Sequence, residues 1–325
     1  MRQAMLQRYS LEMDSGVILR QQRLSQRDGL IVTLTVNGFT GQGEIAPLPS
    51  FSEETLAQAQ AQAIEVLSHW QETGQWPDDW DALYPSVAFG LSMAQMELDG
   101  ALQPEGNYAC APLCSGDPDV LIARLGQTGQ RVAKMKVGLY EAIRDGMIAN
   151  LMLEAVPELQ LRMDANRAWL PAKAAQFAKY IAPELRARID FIEEPCRTPE
   201  QSLAFAEIHG IAIAWDESVR EPNFTVQANP WVRAIIIKPT LIGSVSRVIS
   251  LIQQAHTAGM QAVLSASLES SLGLTQLARL AAQFTPMTVP GLDTLQLFRQ
   301  QLGRAWPESS LPLQDLSLQE VIWQR

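Results

Sequence analysis

Ala133-Lys134-Met135-Lys136-Val137-Gly138 is a short apolar run carrying two lysines two residues apart. Four stretches of the same build follow it. They are Leu161-Arg162-Met163-Asp164-Ala165-Asn166, Phe191-Ile192-Glu193-Glu194-Pro195, Ile213-Ala214-Trp215-Asp216-Glu217-Ser218 and Ile235-Ile236-Ile237-Lys238-Pro239-Thr240. Each ends in charge, and successive charges lie about 22 to 29 residues apart, room for one helix and two loops. Strands alternating with helices at this spacing predict repeated βα units on a parallel sheet. The predicted fold is an α/β, TIM-type (β/α) barrel modified to about seven to eight units. In such a barrel the C-terminal strand ends form the catalytic face.

Strand parity sorts the charges, because side chains two apart share a face. Lys134 and Lys136 lie together, as do Arg162, Asp164 and Asn166. Glu193 and Asp216 point inward, whereas Glu194 and Glu217 do not. On this reasoning the loss of Glu194 is milder than the loss of Glu193. Each acid has a plain alternative: Asp164 a helix cap, Glu193-Glu194 a solvated loop, Asp216 a turn residue. Their recurrence at one position in successive units argues for a shared site. Three inward carboxylates repel one another unless a cation joins them. Hard oxygen ligands without Cys or His suit Mg²⁺, making Asp164, Glu193 and Asp216 the candidate metal ligands. Lys136 and Lys238, on the second and sixth strands, are the candidate catalytic pair. A neighbouring metal and the charge of Lys134 both favour a neutral amine on Lys136, able to act as general base.

The rest of the chain frames this core. Residues 1–99 read as an α+β capping domain. Leu30–Val36, the turn pair Asn37-Gly38 and Gly41–Ile45 predict a hairpin. Ser52 is the expected N-cap of a helix running to about His69. Segments 16–28 and 46–52 are candidate lids. Residues 100–305 form the barrel, with a first strand at Tyr108–Leu113, a weak helix around Asn223–Asn229, a seventh strand at Gln261–Ser267 and a short last strand at Thr288–Gly291. The tail 306–325 is expected to return to the first domain. A net charge of −10 over 325 residues argues against nucleic acid or anionic membrane as partner. The three cysteines read as reduced thiols, and no apolar run suits a signal or a membrane span, so the expected location is cytoplasmic. The expected partner is a small-molecule carboxylate substrate, and a monomer is compatible with the sequence.

The constellation Lys134-x-Lys136, Asp164-x-Asn166, Glu193-Glu194-Pro195, Asp216-Glu217-Ser218 and Lys238-Pro239 resembles the enolase superfamily. The lysine pair is similar to that of the muconate lactonizing enzyme subgroup. Lys136-Val137-Gly138-Leu139-Tyr140-Glu141-Ala142, Arg162–Trp169 and Leu268-Glu269-Ser270-Ser271-Leu272-Gly273-Leu274 resemble the o-succinylbenzoate synthase family of menaquinone biosynthesis. Pro290–Thr294 and Gly43–Pro49 fit as well. The resemblance implies a Mg²⁺-dependent lyase that removes water from 2-succinyl-6-hydroxy-2,4-cyclohexadiene-1-carboxylate. It implies Lys136 as the acid/base, Lys238 as a charge-stabilising cation, and Asp164, Glu193 and Asp216 as ligands of Mg²⁺. Lys134, Arg162, Asn166, Ser265, Ser267 and Gly291 become substrate-binding candidates, the last three for the succinyl tail. Where the family commonly has a serine, this chain has Ala266.

The alternative is an N-acylamino acid racemase or dipeptide epimerase of the same superfamily, in which both lysines exchange a proton. Such epimerases carry Asp-x-Asp near the eighth strand, whereas Gly291-Leu292-Asp293 lacks the first acid. A barrel without catalysis, kept as a binding protein, is a third reading.

Overall fold

The structure is a computed structural model that describes residues 2–14, 17–19, 22–114 and 117–325. Gly16, Arg20 and Gln21 of the candidate lid lie outside the described residues. The chain divides into two compact units, one of Met1–Tyr108, Ile237–Ile252 and Leu264–Arg325, the other of Ala109–Ile236 and Gln253–Val263.

In the first unit, strands β1 (Arg2–Glu12), β2 (Gln26–Val36) and β3 (Phe39–Ile45) form an antiparallel sheet. Asn37 and Gly38 turn the β2–β3 hairpin at φ 51° and 87°, the primed turn that an Asn-Gly pair favours. The C-terminal strand Glu320–Gln324 adds to the other edge, pairing antiparallel with β1. The inward side chains Leu6, Leu30, Val32, Leu34 and Ile45 pack with Val66, Leu67, Trp70, Val87 and Leu91 of two helices, Leu56–Thr73 and Pro85–Leu98. Gly43 permits this approach: a Cβ there would stand 1.9 Å from the Gly90 carbonyl oxygen. The first helix is capped at Thr55, not Ser52, through a capping box with Gln58. Ser52 Oγ instead accepts from the Leu48 amide at 2.8 Å, closing the proline loop before the helix.

This unit does not stop near residue 99. Glu97 on the second helix binds Arg304 and Arg279, while Ser92 Oγ accepts from Val245 N at 2.9 Å. These bonds gather later segments of the chain into the same unit.

The second unit is built on a seven-stranded sheet whose strand order follows the sequence. Its strands are β4 (Leu113–Cys114), β5 (Val132–Lys136), β6 (Gln160–Asp164), β7 (Ile189–Glu193), β8 (Ile213–Trp215), β9 (Val232–Ile237) and β10 (Gln261–Leu264). Adjacent pairs from β4 to β9 are parallel. Each connection with a helix supplies a cover for the apolar strands, the arrangement parallel sheets require. Phe191, Ala214, Ala234, Ile236 and Val263 form a buried cluster along the sheet.

Three expectations about the barrel elements also need correction. The first strand shrinks to two residues, because residues through Pro112 run up to β5 without joining the ladder except through Pro112 O, which accepts from Lys134 N at 2.9 Å. Proline cannot donate to a ladder. The span 223–229 is not helical; Pro222 and Pro230 bracket it, Asn229 turns back to accept from Trp231 N, and the one helical turn lies earlier, at Glu217–Arg220. The expected last strand reduces to a single bridge between Ser265 and Gly291. All three cysteines are free. No helix among the described residues is long and apolar enough to cross a membrane.

Candidate active site

Parallel register puts the charged strand ends in one row. Lys136 on β5 pairs with Asp164 on β6, Asp164 with Glu193 on β7, and Glu193 with Ala214 on β8. Asp216 follows two residues after Ala214. Parity holds along β5, where Ala133 and Met135 are buried on one face while Lys134 and Lys136 take the other.

Lys134 starts one layer below this row, opposite Arg162, yet its ammonium reaches up to it. Nζ donates to Glu193 Oε1 at 2.9 Å and Oε2 at 3.1 Å, and stands 3.4 Å from Asp164 Oδ2. Burial alone would lower the Lys134 ammonium, but the carboxylates of Glu193, Asp164 and Asp216 outweigh it and hold the group well above its ordinary value. Lys134 is therefore a fixed cation. Lys136 is different: its side chain is 42 % exposed, its Nζ donates to Asn166 Oδ1, and Asp164 Oδ2 lies 4.0 Å away. Asn166 also steadies the strand end, its backbone N–H donating to Asp164 Oδ1 at 3.1 Å.

Asp164, Glu193 and Asp216 are all buried. Their donor chemistry, acid oxygens only, fits a hard divalent cation. Among the described residues no three His, Cys, Asp or Glu side chains already converge as a metal cage. Lys134 supplies the positive charge between Asp164 and Glu193.

Arg162 lies deeper, 4 % exposed, with Nε on Asp190 Oδ2 at 2.9 Å and its guanidinium 5.1 Å from the Phe191 ring centre. Glu194, turned from the row, is fully buried and binds Arg167 and the backbone after β8. Sequence parity gave its direction but not these partners.

The remaining candidates belong to the other compact unit. Lys238 is half-buried at the start of a one-turn helix, Pro239–Ile242. Ser265 and Gly291 are together: Ser265 Oγ donates to Gly291 O at 3.3 Å, and a Cβ on Gly291 would stand 2.9 Å from that hydroxyl. Ser267 N donates to Glu269 Oε2 at 2.5 Å. Glu269 is buried and its other oxygen accepts no hydrogen bond. Burial, then the nearby Glu44 charge, push its carboxyl up to about 7. Glu44 itself accepts from Ser270 N, Ser270 Oγ and Gly273 N, at the N-terminus of the helix Ser271–Phe284, where a negative charge is favoured.

Residues 1–98 match the MenC N-terminal domain family, and residues 120–307 match the enolase C-terminal domain-like family. An o-succinylbenzoate synthase of Aliivibrio salmonicida is 58 % identical over 325 residues, covering 100 % of both chains. The chain belongs to the o-succinylbenzoate synthase family. This family identity agrees with the resemblance carried by the strand-end motifs. The solved o-succinylbenzoate synthase of Thermosynechococcus elongatus, described as complexed with Mg in the active site, superposes with a TM-score of 0.71 at 23 % identity, covering 89 % of this chain and 92 % of that one. The L-Ala-D/L-Glu epimerase of Bacillus subtilis, solved in a substrate-liganded complex, gives a TM-score of 0.72 at 21 % identity, covering 92 % and 91 %. At these identities the two structures establish a shared fold.

Proposed function

We propose that Lys136 is the acid/base of a dehydration that converts 2-succinyl-6-hydroxy-2,4-cyclohexadiene-1-carboxylate to o-succinylbenzoate, a step of menaquinone biosynthesis. The observation that carries the assignment is the accessible Lys136 amine, bonded to Asn166 and beside Asp164, in a chain of this family. The neutral amine takes the proton from the ring carbon bearing the carboxylate. The electrons of that C–H bond pass first into the carboxylate, giving an enediolate, and then return to form the new ring double bond as the neighbouring C–O bond breaks. The same nitrogen returns its proton to the leaving hydroxyl, so water departs and the ring becomes aromatic. One base serves both transfers because both occur on one face.

Asp164, Glu193 and Asp216 would hold Mg²⁺. When bound, the ion supplies Lewis-acid stabilisation of the charge that develops on the substrate carboxylate. Lys134 limits repulsion among the acids and keeps Glu193 oriented. Asn166 holds the Lys136 amine by accepting its N–H. Lys238 is assigned the second cation, with no proton to transfer. Ser265, Ser267 and Gly291 are assigned to the succinyl tail, and the tight Ser265–Gly291 contact supports a shaped recess for it. Residues 1–99 with the returning tail 306–325 are read as one domain, supported by the pairing of Glu320–Gln324 with β1.

The direct test is to supply the cyclohexadiene substrate to the purified protein and follow ultraviolet absorbance as the aromatic ring forms. Turnover with Mg²⁺ that stops on chelation is expected. Absence of product under saturating Mg²⁺ overturns the reading.

A further inference from the structure

Glu194 is adjacent to a proposed metal ligand yet does a different job. Its carboxylate is completely buried and joins three loops. Oε1 accepts from the backbone N–H of Asp216 at 2.9 Å and of Ser218 at 2.7 Å, both after β8. Oε2 accepts from Arg167 Nε, in the loop after β6. Arg167 then extends the link, its Nη2 donating to Ser218 Oγ at 2.8 Å and to Glu221 Oε1 at 3.0 Å. The backbone closes the same circuit: Arg167 N donates to Glu194 O at 2.9 Å, and Glu194 N to Ala214 O at 3.1 Å.

The local backbone shows what this network holds. Asn166, Arg167 and Glu194 have φ of 45°, 56° and 29°. Asparagine visits the left-handed region readily, whereas arginine and glutamate stay there only when their surroundings fix them. The fixing group is the Glu194–Arg167 ion pair. Asn166, which binds Lys136, directly precedes Arg167, and the Asp216 backbone N–H donates to the Glu194 carboxylate itself.

We propose that Glu194 is a positioning residue for the reaction: with Arg167 it sets the strand ends that present Asn166 and Asp216. This rests on the reading that Asp164, Glu193 and Asp216 hold the metal. A charged acceptor is needed because it must satisfy Arg167 and two backbone donors at once in a dry site. Glutamine keeps the shape, but where its amide replaces Oε2 it turns a donor toward the guanidinium. Strand parity makes the loss of Glu194 the milder one from the direction of its side chain alone; what that side chain meets is Arg167 and the backbone after β8.

The test is calorimetric titration of Mg²⁺ into substrate-free protein, with Glu194→Gln, Arg167→Lys and a control, Glu97→Gln. The control breaks a buried ion pair in the other unit, to Arg304 and Arg279. Glu194→Gln is expected to weaken Mg²⁺ binding roughly tenfold, the scale seen when a group supporting a metal ligand is removed. Arg167→Lys is expected to weaken it less. Glu97→Gln is expected to lower the melting temperature with Mg²⁺ affinity unchanged. If Glu194→Gln and Arg167→Lys melt earlier but bind Mg²⁺ as the wild type does, Glu194 is only a structural residue and the proposal fails. If Glu194→Gln does not fold, Arg167→Lys decides by the same criterion. A wild type that binds no Mg²⁺ overturns the metal assignment itself, and the positioning role with it.

Discussion

The Lys134 ammonium spans both carboxylate oxygens of Glu193, at 2.9 Å and 3.1 Å, from a position one layer below it on the sheet. This lysine is a counter-charge, held cationic by its acids, and that separates it from Lys136 two residues on. Lys134→Ala leaves two buried acids short of their cation. Stability without metal should fall by about 3 kcal/mol, the low end for breaking a buried pair because the side chain is 26 % exposed. Urea unfolding with and without Mg²⁺ measures it, and added Mg²⁺ should restore part of the loss.

The three acids make separable contributions to metal binding. Asp164→Asn, Glu193→Gln and Asp216→Asn should each reduce Mg²⁺ affinity and turnover by roughly tenfold or more while leaving the secondary structure intact. Equal turnover and Mg²⁺ dependence in all three variants and the wild type would remove these residues from the site.

Gly291 and Ser265 share too little space for an added methyl group. A Cβ at Gly291 would meet Ser265 Oγ at 2.9 Å, so Gly291→Ala must move the hydroxyl. On the present assignment KM should rise several-fold, with kcat changing less, since tail binding is largely uniform between ground and transition states. A drop in kcat at constant KM would place Gly291 closer to the chemistry.

Glu269 gives the unit that holds it a pH dependence. Its carboxyl is raised from 4.5 to about 7, by burial first and by Glu44 second, with Arg27 opposing. The folded state therefore binds this proton more tightly than the unfolded state. The Glu269 contribution is fully present below the ordinary carboxylate range and is lost as pH rises toward 7, a change of about 3 kcal/mol. Glu269→Gln should flatten that loss. Chemical denaturation of both proteins between about pH 5 and pH 8 measures the difference; parallel curves would contradict it.

Much of this was legible in the chain because the relevant signals are local. The Asn37-Gly38 hairpin and the acids closing β6 and β7 are read from neighbouring residues, and parity separates Glu193 from Glu194. What escaped depends on distant partners. Arg162 shares a face with Asp164, but its guanidinium is buried against Asp190. Glu44 and Ser270 meet across 226 residues of sequence, so no local pattern announces their contact. The short outer strands reflect proline: Pro112 and Pro290 cannot donate to a ladder, and only a few residues beside each remain paired. Thr55 displaced Ser52 as a cap because Ser52 had a nearer use in its own loop.

The central claim is that Lys136 alone moves the proton. Solvent deuterium incorporation at the α-carbon of a slow substrate analogue tests it most directly, measured for Lys136→Ala and Lys238→Arg. Lys136→Ala should show no exchange. Lys238→Arg keeps a positive charge but cannot readily cycle a proton, so it should dehydrate poorly while still exchanging through Lys136. Exchange by Lys136→Ala with none by Lys238→Arg would reverse the roles. Exchange by both would make each lysine a base, the behaviour of an epimerase, and contradict the account.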